Sequence, residues 1–176
     1  PATAVGLGMY GKMPGVAFQD YPSARAILVW GANPRVSNIH LVPYLRQARK
    51  NGAFVAVIDP IRNFNSGEID LHLPVYPGAD LPVALAMIRL WHEAGRWDRA
   101  FLAQHADGWE PLRAAANEWP VERAAAAARV SASAIESLAR VFAEAAPAVI
   151  RVGWGIERNQ NGGQALAAAM AMPALL

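Results

Sequence analysis

Three short apolar runs stand out along the chain: Ala26-Ile27-Leu28-Val29-Trp30, Phe54-Val55-Ala56-Val57-Ile58 and Ala148-Val149-Ile150-Arg151-Val152. They lack the alternation of a half-buried strand, so they predict strands covered on both faces. Each stops at a turn signal: Gly31-Ala32-Asn33-Pro34, Asp59-Pro60 and Gly153. Between the first two, Leu41, Leu45 and Ala48 recur at helical spacing and Gly52 closes the segment. Pro43 sits inside that helix, which predicts an irregular first turn. Strand, helix and strand fit within about 33 residues, the length of one right-handed βαβ unit.

The rest is mostly helical. Residues 1–24, rich in Gly and Pro, read as loop, and so do residues 61–69. Leu71 to Val75 alternate weakly, as in a short strand. Pro77-Gly78-Ala79-Asp80 reads as a turn with Asp80 capping a helix that has Pro82 in its first turn and Gly95 beyond its end. Residues 97–128 are helical in bias with breaks near Gly108 and Pro120. Ser133 opens a further helix with Ile135, Leu138, Ala139 and Phe142 on one face. After the last strand comes a polar loop to Gly163 and then an apolar helix. The pattern therefore predicts one α/β domain over residues 1–176, Rossmann-like, with an open, mainly parallel sheet, helices on both faces and a mostly helical stretch at 97–145.

Composition narrows the function. Hydrophobic residues make up 54% and charged residues 17% of 176 residues, which suits a packed core and not disorder. The formal charge of +2 is spread out, and no Lys or Arg run marks a nucleic-acid surface. There is no cysteine, hence no disulfide, thiolate nucleophile or thiolate-held cluster in this segment. The histidines His40, His72, His92 and His105 match no metal-ligand spacing. No stretch reads as a membrane span. Both ends, Pro1 and Ala174-Leu175-Leu176, read as edges cut from a longer chain. Nothing forms a catalytic constellation.

What remains is a set of junctions that parallel strands would bring to one carboxyl-terminal edge, where open α/β sheets bind ligands. Four carry candidate chemistry. In Trp30-Gly31-Ala32-Asn33-Pro34-Arg35-Val36-Ser37, a glycine and a helix amino terminus near Ser37 offer N–H groups to an anion, or form an ordinary strand-to-helix turn. In Asp59-Pro60-Ile61-Arg62-Asn63, the carboxylate suits a ribose diol and Arg62 a phosphate, or Asp59 merely ends the strand. In Gly78-Ala79-Asp80, the helix cap competes with a role toward a nucleotide base. In Gly153-Trp154-Gly155-Ile156-Glu157-Arg158-Asn159-Gln160-Asn161-Gly162-Gly163, Arg158 presents a planar fork, or the loop simply faces solvent. Gly31, Asp59 and Gly153 are expected around a single cleft open to solvent, with a mobile loop at 153–163.

Read in order, these pieces resemble the molybdopterin oxidoreductase family, of the dimethyl sulfoxide reductase class. The family pattern runs as strand–WGxNP, a helix ending in ARKxGA, strand–DPR, a loop to an Asp, PGTD before a helix, and later a GxGxxRxxNG-like loop with an apolar helix. The chain matches with Trp30-Gly31-Ala32-Asn33-Pro34, Ala48-Arg49-Lys50-Asn51-Gly52-Ala53, Ile58-Asp59-Pro60, Asp70, Pro77-Gly78-Ala79-Asp80 and Gly153 to Gly162, over residues from about 16 to the end. It departs at Ile61, where the family has Arg, at Asn63 in place of Thr, and at Tyr76 in place of a basic residue.

The resemblance implies binding to one half of a bis-molybdopterin guanine dinucleotide (Mo-bis-MGD, or its tungsten counterpart). Residues 30–37, 59–63 and 78–80 would hold the guanosine diphosphate portion, and Trp154, Gly155 and Arg158 match cofactor-contacting positions. It also implies a 4Fe-4S cluster and the metal's protein ligand before Pro1, a closing domain after Leu176, and contact with those remaining domains and with an electron-transfer subunit. The chain alone is expected to be inactive. Two other readings stay open: a structural domain like that of complex-I subunits that lack molybdenum, and a Rossmann domain for another nucleotide.

Overall fold

The computed structural model describes residues 1–176. In chain order its elements are α1 (Ala2–Tyr10), β1 (Ala26–Trp30), α2 (Pro34–Ser37), α3 (Val42–Lys50), β2 (Phe54–Ile58), β3 (Leu71–Leu73), α4 (Asp80–Glu93), α5 (Arg99–His105), α6 (Trp109–Asn117), α7 (Val121–Ala128), α8 (Ala132–Glu144), β4 (Ala148–Val152) and α9 (Gly162–Leu175). The four strands form one sheet in the order β3-β2-β1-β4. Every pairing is parallel. Trp30, the last residue of β1, stands opposite Ile58 on one side and Val152 on the other. The α/β class and the three long strands are as the apolar runs predict.

The sheet is sandwiched because successive side chains point to opposite faces. Ala26, Leu28, Trp30, Ala56 and Ile58 enter a large core with Met87, Ile88 and Trp91 of α4 and with residues of α7, α8 and α9. Ile27, Val29, Val55 and Val57 face the other way, against Leu41, Leu45, Ala48 and Tyr21. All five β1 residues are fully buried. Burying one Val, Leu or Ile is worth roughly 1.5–3 kcal/mol, so β1 is the firmest anchor for any loop attached to its end. β4 is less covered than its pattern implies: all five residues are half-buried, because it is an edge strand with a neighbour on one side only.

Other differences have local causes. Residues 1–24 are not mainly loop, since they form α1 and a 3-10 segment at Phe18–Ser23. Glycine inside a helix costs about 1 kcal/mol. Tertiary packing offsets it: Tyr10 donates its hydroxyl to the Met170 carbonyl at 2.5 Å, and a Cβ on Gly6 would lie 2.6 Å from Met13 Sδ. The irregular start expected from Pro43 is present as a 3-10 turn, Ile39–Leu41, that leads into α3. Pro43 itself falls in the first turn of α3, where its missing N–H has no partner to lose. The weak alternation at 71–75 yields a strand only to Leu73. The expected breaks near Gly108 and Pro120 separate α5, α6 and α7. The cap of α8 is Ser131 and not Ser133: its hydroxyl accepts from the Ala134 N–H at 3.2 Å.

Candidate functional site

The parallel ladder continues past the strand ends and joins three junctions. Gly31 N–H donates to the Ile58 carbonyl at 2.8 Å, Gly153 N–H to the Trp30 carbonyl at 2.8 Å, and Gly155 N–H to the Gly31 carbonyl at 3.0 Å. This backbone-on-backbone approach is why glycine occupies these positions. A Cβ at Gly153 would collide with the Gly31 carbonyl oxygen and Ala32. Gly31 itself has φ +57°, and a Cβ there would meet Ile156 at 2.7 Å.

The fourth junction is tied in from below. Trp30 Nε1 donates to Asp80 Oδ1 at 2.7 Å. Asp80 is therefore not the helix cap that its position before α4 suggests: Ala79 is the N-cap residue and Asp80 the first residue of the helix. The physical reason is the turn. Gly78, at φ +87°, swings Asp80 inward, where it is only 6% exposed. Burial raises the Asp80 pKa, the Trp30 indole N–H works against that rise, and the charge of Asp59 adds to it. Asp59 is likewise raised by burial, opposed by the Ile61 N–H, the Asn63 amide and His72. One of its oxygens accepts the Ile61 N–H at 2.8 Å, as a turn residue would. Two carboxylates with pKa values raised by burial thus share one sheet edge.

The loops after β1 and β2 also touch. Asn33 donates its amide to Asn63 Oδ1 at 3.2 Å, while Asn33 Oδ1 is buried with no partner. An unpaired buried acceptor costs about 1–3 kcal/mol, and native structures leave few of them. The expected helix amino terminus near Ser37 does not exist. Ser37 ends the four-residue α2, and its hydroxyl donates to the Asn33 carbonyl at 2.9 Å. Proline at 34 starts the helix earlier than the apolar pattern indicated.

The 153–163 loop is not an open flap. Ile156 is buried in a 3-10 turn. The Ala2 N–H donates to Glu157 at 2.6 Å, and Asn161 donates to the Gly78 carbonyl at 3.0 Å. The Ala2 N–H is the main cause holding the Glu157 pKa below its usual range. Between this loop and the 76–79 turn lies a cavity of about 430 Å³, lined by Tyr76, Gly78, Ala79, Pro82, Asn159 and Gln160 among others. Beside it, Arg129 lies over the Tyr76 ring at 4.0 Å.

The structure thus brings together the junctions at Trp30–Asn33, Asp59–Asn63, Gly78–Asp80 and Gly153–Gly155. Their residues play unequal parts. Trp30 and Pro34 are buried and belong to the frame. Ala32 is half-buried, Pro60 is exposed, and Ile61 is 68% exposed. Trp154 is 61% exposed at the rim. Arg62 and Arg158 are exposed and form no ion pair. Only Gly78 and Ala79 of the sequence-derived set line the cavity. Asn159 and Gln160 lie in the loop that the sequence marks but are not singled out there, Tyr76 is marked only as a departure from the family pattern, and Arg129, beside the cavity, is not marked. The run of amides in a glycine-rich loop was a usable signal for the first two. Arg129 carries none, since it reaches the site only through the packing of α7.

Comparison with known proteins agrees with this architecture. The family described as molybdopterin oxidoreductase matches residues 7–176. The chain is 29% identical over 165 residues to the probable oxidoreductase YoaE of Bacillus subtilis, covering 94% of this chain and 24% of that protein. It is 33% identical over 149 residues to the assimilatory nitrate reductase of Haloferax mediterranei, covering 85% and 20%. Among solved structures, acetylene hydratase from Pelobacter acetylenicus superposes with a TM-score of 0.87 at 25% identity, over 99% of this chain and 24% of that one. The chain spans about a quarter or less of the length of these relatives.

Proposed function

We propose, starting from a chain that belongs to the molybdopterin oxidoreductase family, that its sheet edge binds the guanosine diphosphate end of a molybdopterin guanine dinucleotide within a larger redox enzyme. The observation that carries this reading is the pair Asp59 and Asp80. Burial raises both pKa values and neither carboxylate is in an ion pair; the Trp30 indole at Asp80, and the Ile61 N–H and Asn63 amide at Asp59, leave acceptor capacity for donors from a ligand. A guanine edge offers two adjacent N–H groups, and a ribose offers a vicinal diol. Each bond of that kind to a charged acceptor is worth about 1.5–3 kcal/mol.

The residues present fit such a group. Asn33 Oδ1 is an orphaned buried acceptor, which a hydroxyl or N–H of the ligand would satisfy. The glycines at 31, 153 and 155 let the loops after β1 and β4 close on one another at this edge. In this reading Asp80 accepts from the base, positioned by Trp30. Asp59 accepts from the ribose. Asn33 and Asn63 close the sugar side, and Ala32, Ser37, Pro60 and Ile61 shape the approach. Arg62 and Arg158, having no internal partner, stand ready for phosphate. Trp154 and Gly155 face the pterin-bearing portion. When bound, the cofactor supplies redox chemistry at a molybdenum or tungsten ion; this chain supplies binding and orientation. Activity of the whole enzyme, its 4Fe-4S cluster and its electron-transfer partner belong to the same proposal.

Calorimetric titration of the chain with guanosine diphosphate, adenosine diphosphate and nicotinamide dinucleotide tests it. Preference for the guanine nucleotide, lost in Asp80→Asn, is expected. Equal affinity for the adenine ligands would overturn the assignment in favour of a general Rossmann site. No binding of any would favour a structural domain.

A further inference from the structure

We propose that Glu68, a residue no motif singled out, is a positioning residue for this site: it locks the loop after β2 to the loop after β1 through Arg35. The inference rests on the nucleotide reading above for its ligand, but not for its geometry. The connection from β2 to β3 runs over residues 59–70 without a helix, although parallel connections of about a dozen residues usually contain one. Such a loop holds Asp59 and Asn63 in place only if something else ties it down.

Glu68 does the tying. Its Oε2 accepts from Arg35 Nη1 at 2.7 Å and from the Asn65 N–H at 2.9 Å, and its Oε1 accepts from Arg46 Nη2 at 2.8 Å and Nε at 3.2 Å. One carboxylate thus fixes α2, α3 and its own loop together. The Arg46 hydrogen bond, then the Asn65 N–H and the two guanidinium charges, hold its pKa below the usual range. Its side chain is 18% exposed and that of Arg35 33%, so this pair is partly shielded from water, whereas Arg46 is exposed. Arg35 lies two residues from Asn33, and its bond to Glu68 sets the spacing across which Asn33 meets Asn63. A second anchor is independent of it: Arg49 pairs with Asp70 and donates to the Gly67 carbonyl at 2.8 Å, and Asp70 accepts the Val55 N–H at 2.9 Å. Asp59 is held by its own backbone bonds to Leu73 and His72, and Phe64 is buried beside Asn63. Loss of Glu68 therefore loosens the short span between them, residues 60–63, against the loop after β1, while the β3 end stays pinned.

The test uses Glu68→Gln, Arg35→Gln and the double variant, with guanosine diphosphate as the probe and amide hydrogen exchange as a ligand-free readout. Glu68→Gln is expected to weaken binding about tenfold, and to add little in the Arg35→Gln background, because residues acting as one unit are non-additive. The Ile61 amide should exchange faster while the Val55 amide and the melting temperature change little. A purely structural role would lower the melting temperature and speed both amides together. Unchanged affinity in Glu68→Gln, with the parent binding normally, overturns the inference and leaves the nucleotide reading standing. A parent that ignores guanosine diphosphate overturns the nucleotide reading instead. The loop lock is then judged on exchange, and an unchanged Ile61 amide overturns it.

Discussion

Replacing Asp80 by Asn should make this protein more stable and at the same time impair its site. The carboxylate has two supports. The Trp30 indole N–H at 2.7 Å is a bond to a charged acceptor, worth about 1.5–3 kcal/mol against about 0.5–1.5 for a neutral one. The first turn of α4 adds roughly 0.3–1 kcal/mol for a negative charge. Against these stand its burial, at 6% exposure, and the charge of Asp59. The raised pKa says that the unfavourable side wins. Asparagine keeps an oxygen for Trp30 and removes the charge, so the variant gains stability at neutral pH. In a chain of this size each 1 kcal/mol gained is about 2–4 °C in melting temperature. The sign with pH follows from linkage. The folded carboxyl binds its proton more readily than the unfolded one, whose ordinary value is 3.8. The parent is thus relieved of the penalty below that value, and loses stability as pH rises through the folded pKa. Melting curves at about pH 4 and about pH 8 should show the advantage of Asp80→Asn growing with pH. An advantage that is independent of pH, or a lower melting temperature at the higher pH, would refute the reasoning.

Asp59→Ala should weaken guanosine diphosphate binding by about 1–3 kcal/mol in calorimetry, while chemical denaturation shows a smaller loss, because inside the fold its side chain serves only the local Ile61 N–H and Asn63 amide and the charge of His72. Gly153→Ala should lower the unfolding free energy by about 1–3 kcal/mol, since its Cβ would strike the backbone of the loop after β1; an unchanged melting temperature would show that the two loops are not in contact as described. Ser131→Ala removes the cap of α8 and should cost about 1 kcal/mol in denaturant titration without touching nucleotide affinity, which separates stability from binding.

The strands were legible because burial on both faces writes itself as an unbroken apolar run, and the sheet edge followed from their being parallel. What burial could not encode locally was misjudged. Ser133 reads as the opening of a helix that Ser131, two residues earlier, caps. The glycines of 1–24 suggested loop because the partner that steadies α1, the apolar helix α9, lies some 160 residues further along. Asp80 shows the same limit inside the site. Its neighbours Ala79 and Pro82 describe a helix start, and a carboxylate at a helix start reads as a cap. Only the Trp30 indole, fifty positions earlier in the chain, turns it into a buried acceptor. Glu68 is more extreme, for nothing near it in sequence distinguishes it from any exposed loop glutamate, and its meaning comes from arginines 33 and 22 residues away. Local pattern thus located the shared sheet edge, whereas the charges at that edge are set by pairings between loops. Titration of Asp80→Asn and Asp59→Ala against guanine and adenine nucleotides therefore tests the ligand separately from the edge: loss of guanine preference in both variants with an unchanged fold supports the assignment, and unchanged preference refutes it.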